Sequence, residues 1–128
     1  MYITKLDHLV LTVRDIHATI QFYTSVLGMK QISLTGKRQA LQFGNQKINL
    51  HQQDDEREPH AAQPTPGSAD ICFISDISLE QVIEHVQSCG VTIIAGPVPR
   101  SGTTGNLLSV YLRDPDGNLV EISNHFED

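Results

Sequence analysis

No apolar run in this chain approaches the roughly 18 residues that a membrane-spanning helix needs, which excludes such a span. The amino terminus, Met1-Tyr2-Ile3-Thr4-Lys5-Leu6-Asp7-His8, has no basic stretch leading into an apolar segment of the secretory kind. The expectation is a soluble cytoplasmic protein. Cysteine is scarce: Cys72 and Cys89 are far from CxxC spacing and too few for a disulfide scaffold, so free thiols in a reducing compartment are expected. Basic residues are outnumbered, nine Lys and Arg against fifteen Asp and Glu, for a formal charge of −6 with the histidines neutral. Binding a phosphate backbone needs a concentrated positive surface, so nucleic acid is not an expected partner. The acidic run Asp54-Asp55-Glu56 with Glu58 reads as a solvated loop.

What is present suffices for one well-buried core: 39% of 128 residues are hydrophobic, in a chain too short for two full-sized independent domains. Leu6 to Val13 is a leucine-rich and β-branched run and reads as a strand. Asp15 then opens a segment whose apolar residues Ile16, Ile20, Tyr23 and Leu27 recur at helical spacing, stopped by Gly28. Met29 to Leu34, Ala40 to Phe43 and Lys47 to His51 follow as three strands joined by short turns. Residues 53–67, with Pro59, Pro64 and Pro66 and no periodicity, read as a linker.

The same order then returns. Ile71 to Ile74 is a strand, and Ser78 to Gln81 has capping-box spacing ahead of a helix with Leu79, Val82, Ile83 and Val86 on its apolar side. Gly90 stops that helix. Val91 to Ile94, Leu107 to Leu112 and Leu119 to Ile122 supply three further strands, with Gly96-Pro97 and Asp114-Pro115-Asp116-Gly117 as turns. Gly28 stands as far beyond His8 as Gly90 stands beyond Asp70. The reading is an α+β chain of two βαβββ modules in tandem, about 2–52 and 68–125, within a single domain. Neither module can bury its own sheet face, so the two are expected to face one another across a cleft.

Strand alternation puts His8, Val10 and Thr12 on one side of the first strand, and Asp70, Cys72 and Ile74 on the matching side of the fifth. Asn49 and His51 share a face of the fourth strand, and Glu121 interrupts the apolar eighth between Val120 and Ile122. Unpaired polar groups in such strands cost a few kcal/mol to bury, and a shared ligand or metal would compensate. Each residue also has a plain structural reading. His8 can bridge backbone groups, Asp70 can end a turn, Asn49 and His51 can sit at a solvated strand end, Glu121 can occupy an exposed strand face, and Cys72 can fill core. Arg100, in the glycine-rich loop expected over residues 97–105, is either a surface charge or a guanidinium for an anionic substrate group.

Three segments together resemble the vicinal-oxygen-chelate superfamily of glyoxalases, bleomycin-resistance proteins and extradiol dioxygenases. They are Asp7-His8-Leu9-Val10-Leu11-Thr12-Val13-Arg14-Asp15, the helix end Phe22-Tyr23-Thr24-Ser25-Val26-Leu27-Gly28-Met29, and Asp114-Pro115-Asp116-Gly117-Asn118-Leu119-Val120-Glu121. Ile48-Asn49-Leu50-His51, Pro66-Gly67-Ser68, Asp70-Ile71-Cys72 and Gly96-Pro97-Val98-Pro99-Arg100 are similar to the glyoxalase domain-containing protein 5 branch and to bacterial proteins described as virulence-associated. The resemblance spans nearly the whole chain and implies paired, partly open barrels.

It also implies a metal held by the first, fourth, fifth and eighth strands. His8 and Glu121 match two of those places, Glu121 doubling as the catalytic base, and Asn49 or His51 stands at the third. Asp70 occupies the position where histidine is usual. One imidazole with carboxylates suits Mn²⁺, Fe²⁺, Ni²⁺, Zn²⁺ or Mg²⁺. His51, Cys72 and Arg100 are the expected substrate-binding residues. The implied activity is that of a divalent-metal-dependent lyase, isomerase or dioxygenase on a small vicinally oxygenated substrate. The alternative is a metal-free protein that sequesters a small molecule. A homodimer is expected, because modules of this kind can exchange partners between chains.

Overall fold

The computed structural model describes residues 1–126, in two compact units, the first Met1–Gly67 and the second beginning at Ser68. The first unit runs β1 (His8–Val13), α1 (Ile16–Ser25), β2 (Lys30–Ser33), a single 3₁₀ turn at Thr35–Lys37, β3 (Gln39–Phe43) and β4 (Gln46–Gln52). The second runs β5 (Asp70–Ile74), α2 (Leu79–Ser88), β6 (Ala95–Gly102), β7 (Gly105–Arg113) and β8 (Leu119–His125). Each unit forms one four-stranded sheet, in the orders β1-β4-β3-β2 and β5-β8-β7-β6. The first strand of each unit pairs with the last in parallel, and the other pairings are antiparallel. These are the two expected βαβββ modules, and neither sheet closes into a barrel.

Local chemistry starts both helices. The Asp15 carboxylate accepts from the N–H groups of His17 and Ala18 at 3.0 and 3.3 Å. Ser78 and Gln81 form a reciprocal capping box that satisfies two otherwise orphaned donors. Each helix packs on one face of its own sheet. Tyr23 of α1 is buried, as are Leu11, Val13, Leu41, Ile48 and Leu50 of its sheet; Val82 and Val86 of α2 are buried, as are Val110, Leu112, Val120 and Ile122. Burying each such side chain fully is worth about 1.5–3 kcal/mol.

Polar side chains tie the parallel strand pair of each unit at matching places. Gln46 Nε2 donates to the Leu6 carbonyl at 3.3 Å in the first unit, and Asn118 Oδ1 accepts from the Ala69 N–H at 2.9 Å in the second. At the far end of the same strands, Gln52 Nε2 donates to the Val13 carbonyl at 3.3 Å and Asn124 Nδ2 donates to the Ile77 carbonyl at 2.9 Å.

The structure corrects two expectations. Residues 91–94 form no strand, and β6 begins only at Ala95, where Ala95 pairs with Tyr111. Consequently Arg100 lies in a strand opposite Leu107 and not in a flexible loop. Gly96-Pro97 reads as a turn, yet Pro97 and Pro99 both lie in β6, an edge strand, where a missing N–H has a single neighbour to disappoint. The register slips between Ala95 and Val98, and Gly96 sits there at φ +92°, where an added Cβ would fall on the Ser109 carbonyl oxygen.

The turn between β7 and β8 is built on Asp114. Its Oδ1 accepts from the N–H groups of Asp116 and Asn118 at 2.9 and 3.0 Å, and its Oδ2 from Asn118 Nδ2 at 2.7 Å. Because Asn118 also holds Ala69, this carboxylate supports the start of β5 as well as its own turn. Asp114→Ala leaves several buried donors unpaired and is expected to cost about 3 kcal/mol, read as a lower urea midpoint with an unchanged slope.

Candidate functional site

The face of each sheet turned away from its helix is only partly filled. On the first sheet, β1 contributes His8, Val10 and Thr12 to that face, opposite Lys47, Asn49 and His51 of β4. On the second, Asp70, Cys72 and Ile74 of β5 lie opposite Leu119, Glu121 and Ser123 of β8. The registers make positions of the two units correspond. Two residues after His8, Val10 pairs with Asn49; two residues after Asp70, Cys72 pairs with Glu121. Asn49 is therefore the counterpart of Glu121, and His8 of Asp70.

On the first sheet His8 is anchored by its neighbour. Its Nδ1 lies 2.8 Å from Asp7 Oδ1, with the two side chains 40% and 85% exposed, and Nε2 has no partner among the described residues. The hydrogen bond from His8, and then its charge, hold the Asp7 carboxyl below its usual pKa. Asn49 Oδ1 is buried without a hydrogen-bond partner among the described residues. His51 is half-buried, and that burial lowers its imidazole pKa while Glu56 opposes the shift.

On the second sheet Glu121 stands in the middle of a row, with Cys72 opposite it on β5 and Tyr111 opposite it on β7. A hydroxyl chain runs along the next row. Ser109 and Ser123 are wholly buried, with their Oγ atoms 2.6 Å apart. Ser123 Oγ lies 3.3 Å from Cys72 Sγ and donates to Glu121 Oε2 at 3.4 Å. A concave pocket of about 370 Å³ opens here, lined by Cys72, Arg100, Thr104, Leu107, Glu121 and His125 among others. Arg100 Nε donates to the Tyr111 hydroxyl at 2.8 Å, and the guanidinium lies 5.5 Å from the centre of that ring.

Three of the expected residues thus meet in one pocket: Cys72, Arg100 and Glu121. Asp70 is exposed at the start of β5, and His8, Asn49 and His51 belong to the first sheet. Among the described residues, no three His, Cys, Asp or Glu side chains gather as a ready-made metal cluster. Sequence reasoning missed Ser109, Tyr111, Ser123 and His125. The available signal was the alternation Leu107, Ser109, Tyr111, Arg113 along β7, which places two hydroxyl groups on the face shared with Glu121. No helix among the described residues is long and apolar enough to cross a membrane.

The model of the Glyoxalase/Bleomycin resistance protein/Dioxygenase superfamily matches residues 5–122. A virulence protein of Salmonella typhimurium is 54% identical over 125 residues, covering 98% of this chain and 87% of the relative. Its crystal structure superposes with a TM-score of 0.97 at 53% identity, covering 98% of this chain and 100% of the other. An integron cassette protein from V. cholerae gives a TM-score of 0.96 at 55% identity, with 98% of each chain covered. A glyoxalase domain-containing protein of Mycosarcoma maydis is 48% identical over 123 residues, covering 96% of this chain and 69% of its own.

The pocket's electrostatics give a direct expectation. Cys72 is exposed on the open face and does not fill core; partial desolvation by its surroundings still raises its thiol pKa, the hydrogen bond with Ser123 opposes that, and the negative charge of Glu121 adds to it. In a Cys89→Ser background, the pH profile of Cys72 alkylation by iodoacetamide should have its midpoint above the ~8.5 of a free thiol. Ser123→Ala should move that midpoint further up and Glu121→Gln should move it down.

Proposed function

Because the chain belongs to the Glyoxalase/Bleomycin resistance protein/Dioxygenase superfamily, we propose that it is a divalent-cation-dependent enzyme acting on a small substrate with two adjacent oxygens. The reaction is of lyase, isomerase or dioxygenase type. His8 and Glu121 are the principal ligands, with Asn49 and Asp70 completing the set. The observation that carries this reading is the Asp7–His8 pair. A carboxylate on Nδ1 fixes the imidazole tautomer and leaves Nε2 for an ion.

Two further features support it. The unpartnered Oδ1 of Asn49 is a neutral oxygen donor, and its counterpart Glu121 is a carboxylate whose Oε2 accepts from Ser123 at 3.4 Å. One imidazole with oxygen donors fits Mn²⁺, Fe²⁺, Ni²⁺, Zn²⁺ or Mg²⁺. A divalent ion bound there supplies Lewis acidity toward two adjacent substrate oxygens. The chain's own groups do the rest. Asp7 keeps His8 in one tautomer, Ser123 orients the Glu121 carboxylate, and Glu121 accepts or returns a proton at its free oxygen. Cys72 and His51 contact the substrate as neutral groups.

The donors divide evenly, His8 and Asn49 in the first module and Asp70 and Glu121 in the second. A homodimer in which modules of two chains face one another is part of the proposal, the linker over 53–67 giving the length for such an exchange. Asp70 favours a second reading, a metal-free protein that sequesters its ligand, because it is exposed at the edge of the face where an imidazole would be the stronger ligand.

Calorimetric titration with Mn²⁺ separates the two. Binding is expected in the wild type, weakened about tenfold by Asp7→Asn and at least tenfold by Glu121→Gln. Absence of binding, or indifference to both substitutions, would leave the sequestering reading in place. Light scattering coupled to size exclusion should give twice the 14.2 kDa chain mass, and a monomer at micromolar concentration would contradict the dimer.

A further inference from the structure

We infer that the pocket on the second sheet contains an oxyanion subsite, in which Arg100, held in place by Tyr111, takes a carboxylate or phosphonate group of the ligand. This rests on the reading that the face bearing Glu121 is the substrate site, and it does not depend on the ion.

The argument begins with the backbone. Arg100 sits in β6, in register with Leu107, and its two preceding odd positions are Pro97 and Pro99, whose rings lock φ. The side chain leaves a stiffened edge strand, not a mobile loop. It is then fixed at three points. Nε donates to the Tyr111 hydroxyl at 2.8 Å, Nη1 donates to the Pro99 carbonyl at 2.9 Å, and the guanidinium plane approaches the Tyr111 ring. Tyr111 is itself placed by the ladder, directly opposite Glu121. These contacts order a long cationic side chain that would otherwise sample many rotamers, so its guanidinium is presented in one orientation.

What remains free on Arg100 is the part that recognises oxyanions. A guanidinium has five N–H donors; those on Nη2 have no partner among the described residues, and no carboxylate lies within ion-pair reach of Arg100 among them. Two N–H groups at one edge form the fork that matches carboxylate and phosphonate oxygens. Hydroxyl residues of the β6–β7 hairpin, Ser101, Thr103 and Thr104, line the same pocket and supply donors for the remaining oxygens. The volume of about 370 Å³ is at the small end of the range for ligand sites, which limits the occupant to a compact molecule. In a chain of net charge −6, this uncompensated cation selects for an anionic ligand against the background field. Tyr111 is a positioning residue, and Arg100 a binding residue.

The test uses the whole protein stripped of metal on a chelating resin. Malonate and methylphosphonate serve as anionic probes and dimethyl malonate as the neutral control, followed by calorimetry and by the Arg Nε–H signals in NMR spectra. Either anion should bind in the millimolar range or better and shift the Arg100 Nε–H signal, with the ester inert; the tighter anion identifies the group carried by the natural ligand. Arg100→Met should weaken binding at least tenfold, and Tyr111→Phe three- to tenfold, both with unchanged unfolding midpoints. Tyr111→Phe keeps the ring and should also sharpen the salt dependence of the remaining affinity, which a purely structural role would not do. Equal binding to wild type and Arg100→Met, equal binding of ester and anion, or no binding of either anion would overturn the inference. Anion binding without any Mn²⁺ binding would sustain it while removing the cation-dependent reading, and the reverse result would remove it while leaving that reading intact.

Discussion

The parallel pairing of the first and last strands of each module is the constraint on which the other features depend. It sets Val10 against Asn49 and Cys72 against Glu121. A slip of one residue would turn every one of these groups toward the helix. The register is defended from both sides. Leu11, Val13, Ile48 and Leu50 can be buried only on the helix side of the first sheet, and Val120 and Ile122 only on that of the second. At the strand ends, the side-chain ties from Gln46 and Gln52, and from Asn118 and Asn124, fail if the strands shift.

Once the register is set, the polar residues on the open faces follow. The second sheet carries the richer chemistry: Glu121 between Cys72 and Tyr111, a buried pair of serine hydroxyls one row along, and Arg100 reaching in from the edge strand. The first sheet offers His8 on its Asp7 support, Asn49 with an unsatisfied oxygen, and a His51 whose burial favours the neutral form. The two faces are alike in geometry and unlike in charge.

Much of the fold was legible because burial imposes periodicity. The α1 stripe Ile16, Ile20, Tyr23 and the α2 stripe Leu79, Val82, Val86 show helical spacing, and the Ser78–Gln81 capping box is visible as written. The edge strand β6 was not legible. Val91 to Ile94 have the β-branched composition of a strand but reach β7 only at their end, where the Ile94 N–H donates to the Tyr111 carbonyl at 2.8 Å, whereas residues 95–102 contain two prolines and still pair with β7. Composition reports side-chain preference, and pairing depends on where the neighbouring strand ends. For the same reason Glu121 stood out as a carboxylate in an apolar strand, while Tyr111 and Ser109 did not: alternation groups the two on one face of β7, and the register then brings that face beside Glu121.

The central claim is that a divalent ion binds through His8 on the support of Asp7. Pulsed electron paramagnetic resonance on Mn²⁺-loaded protein labelled with ¹⁵N-histidine addresses it directly, since coupling to an imidazole nitrogen reports ligation and not mere proximity of charge. A single histidine nitrogen should couple to the ion, and the signal should vanish in His8→Ala. A spectrum without histidine coupling, or one that survives His8→Ala unchanged, would contradict the account.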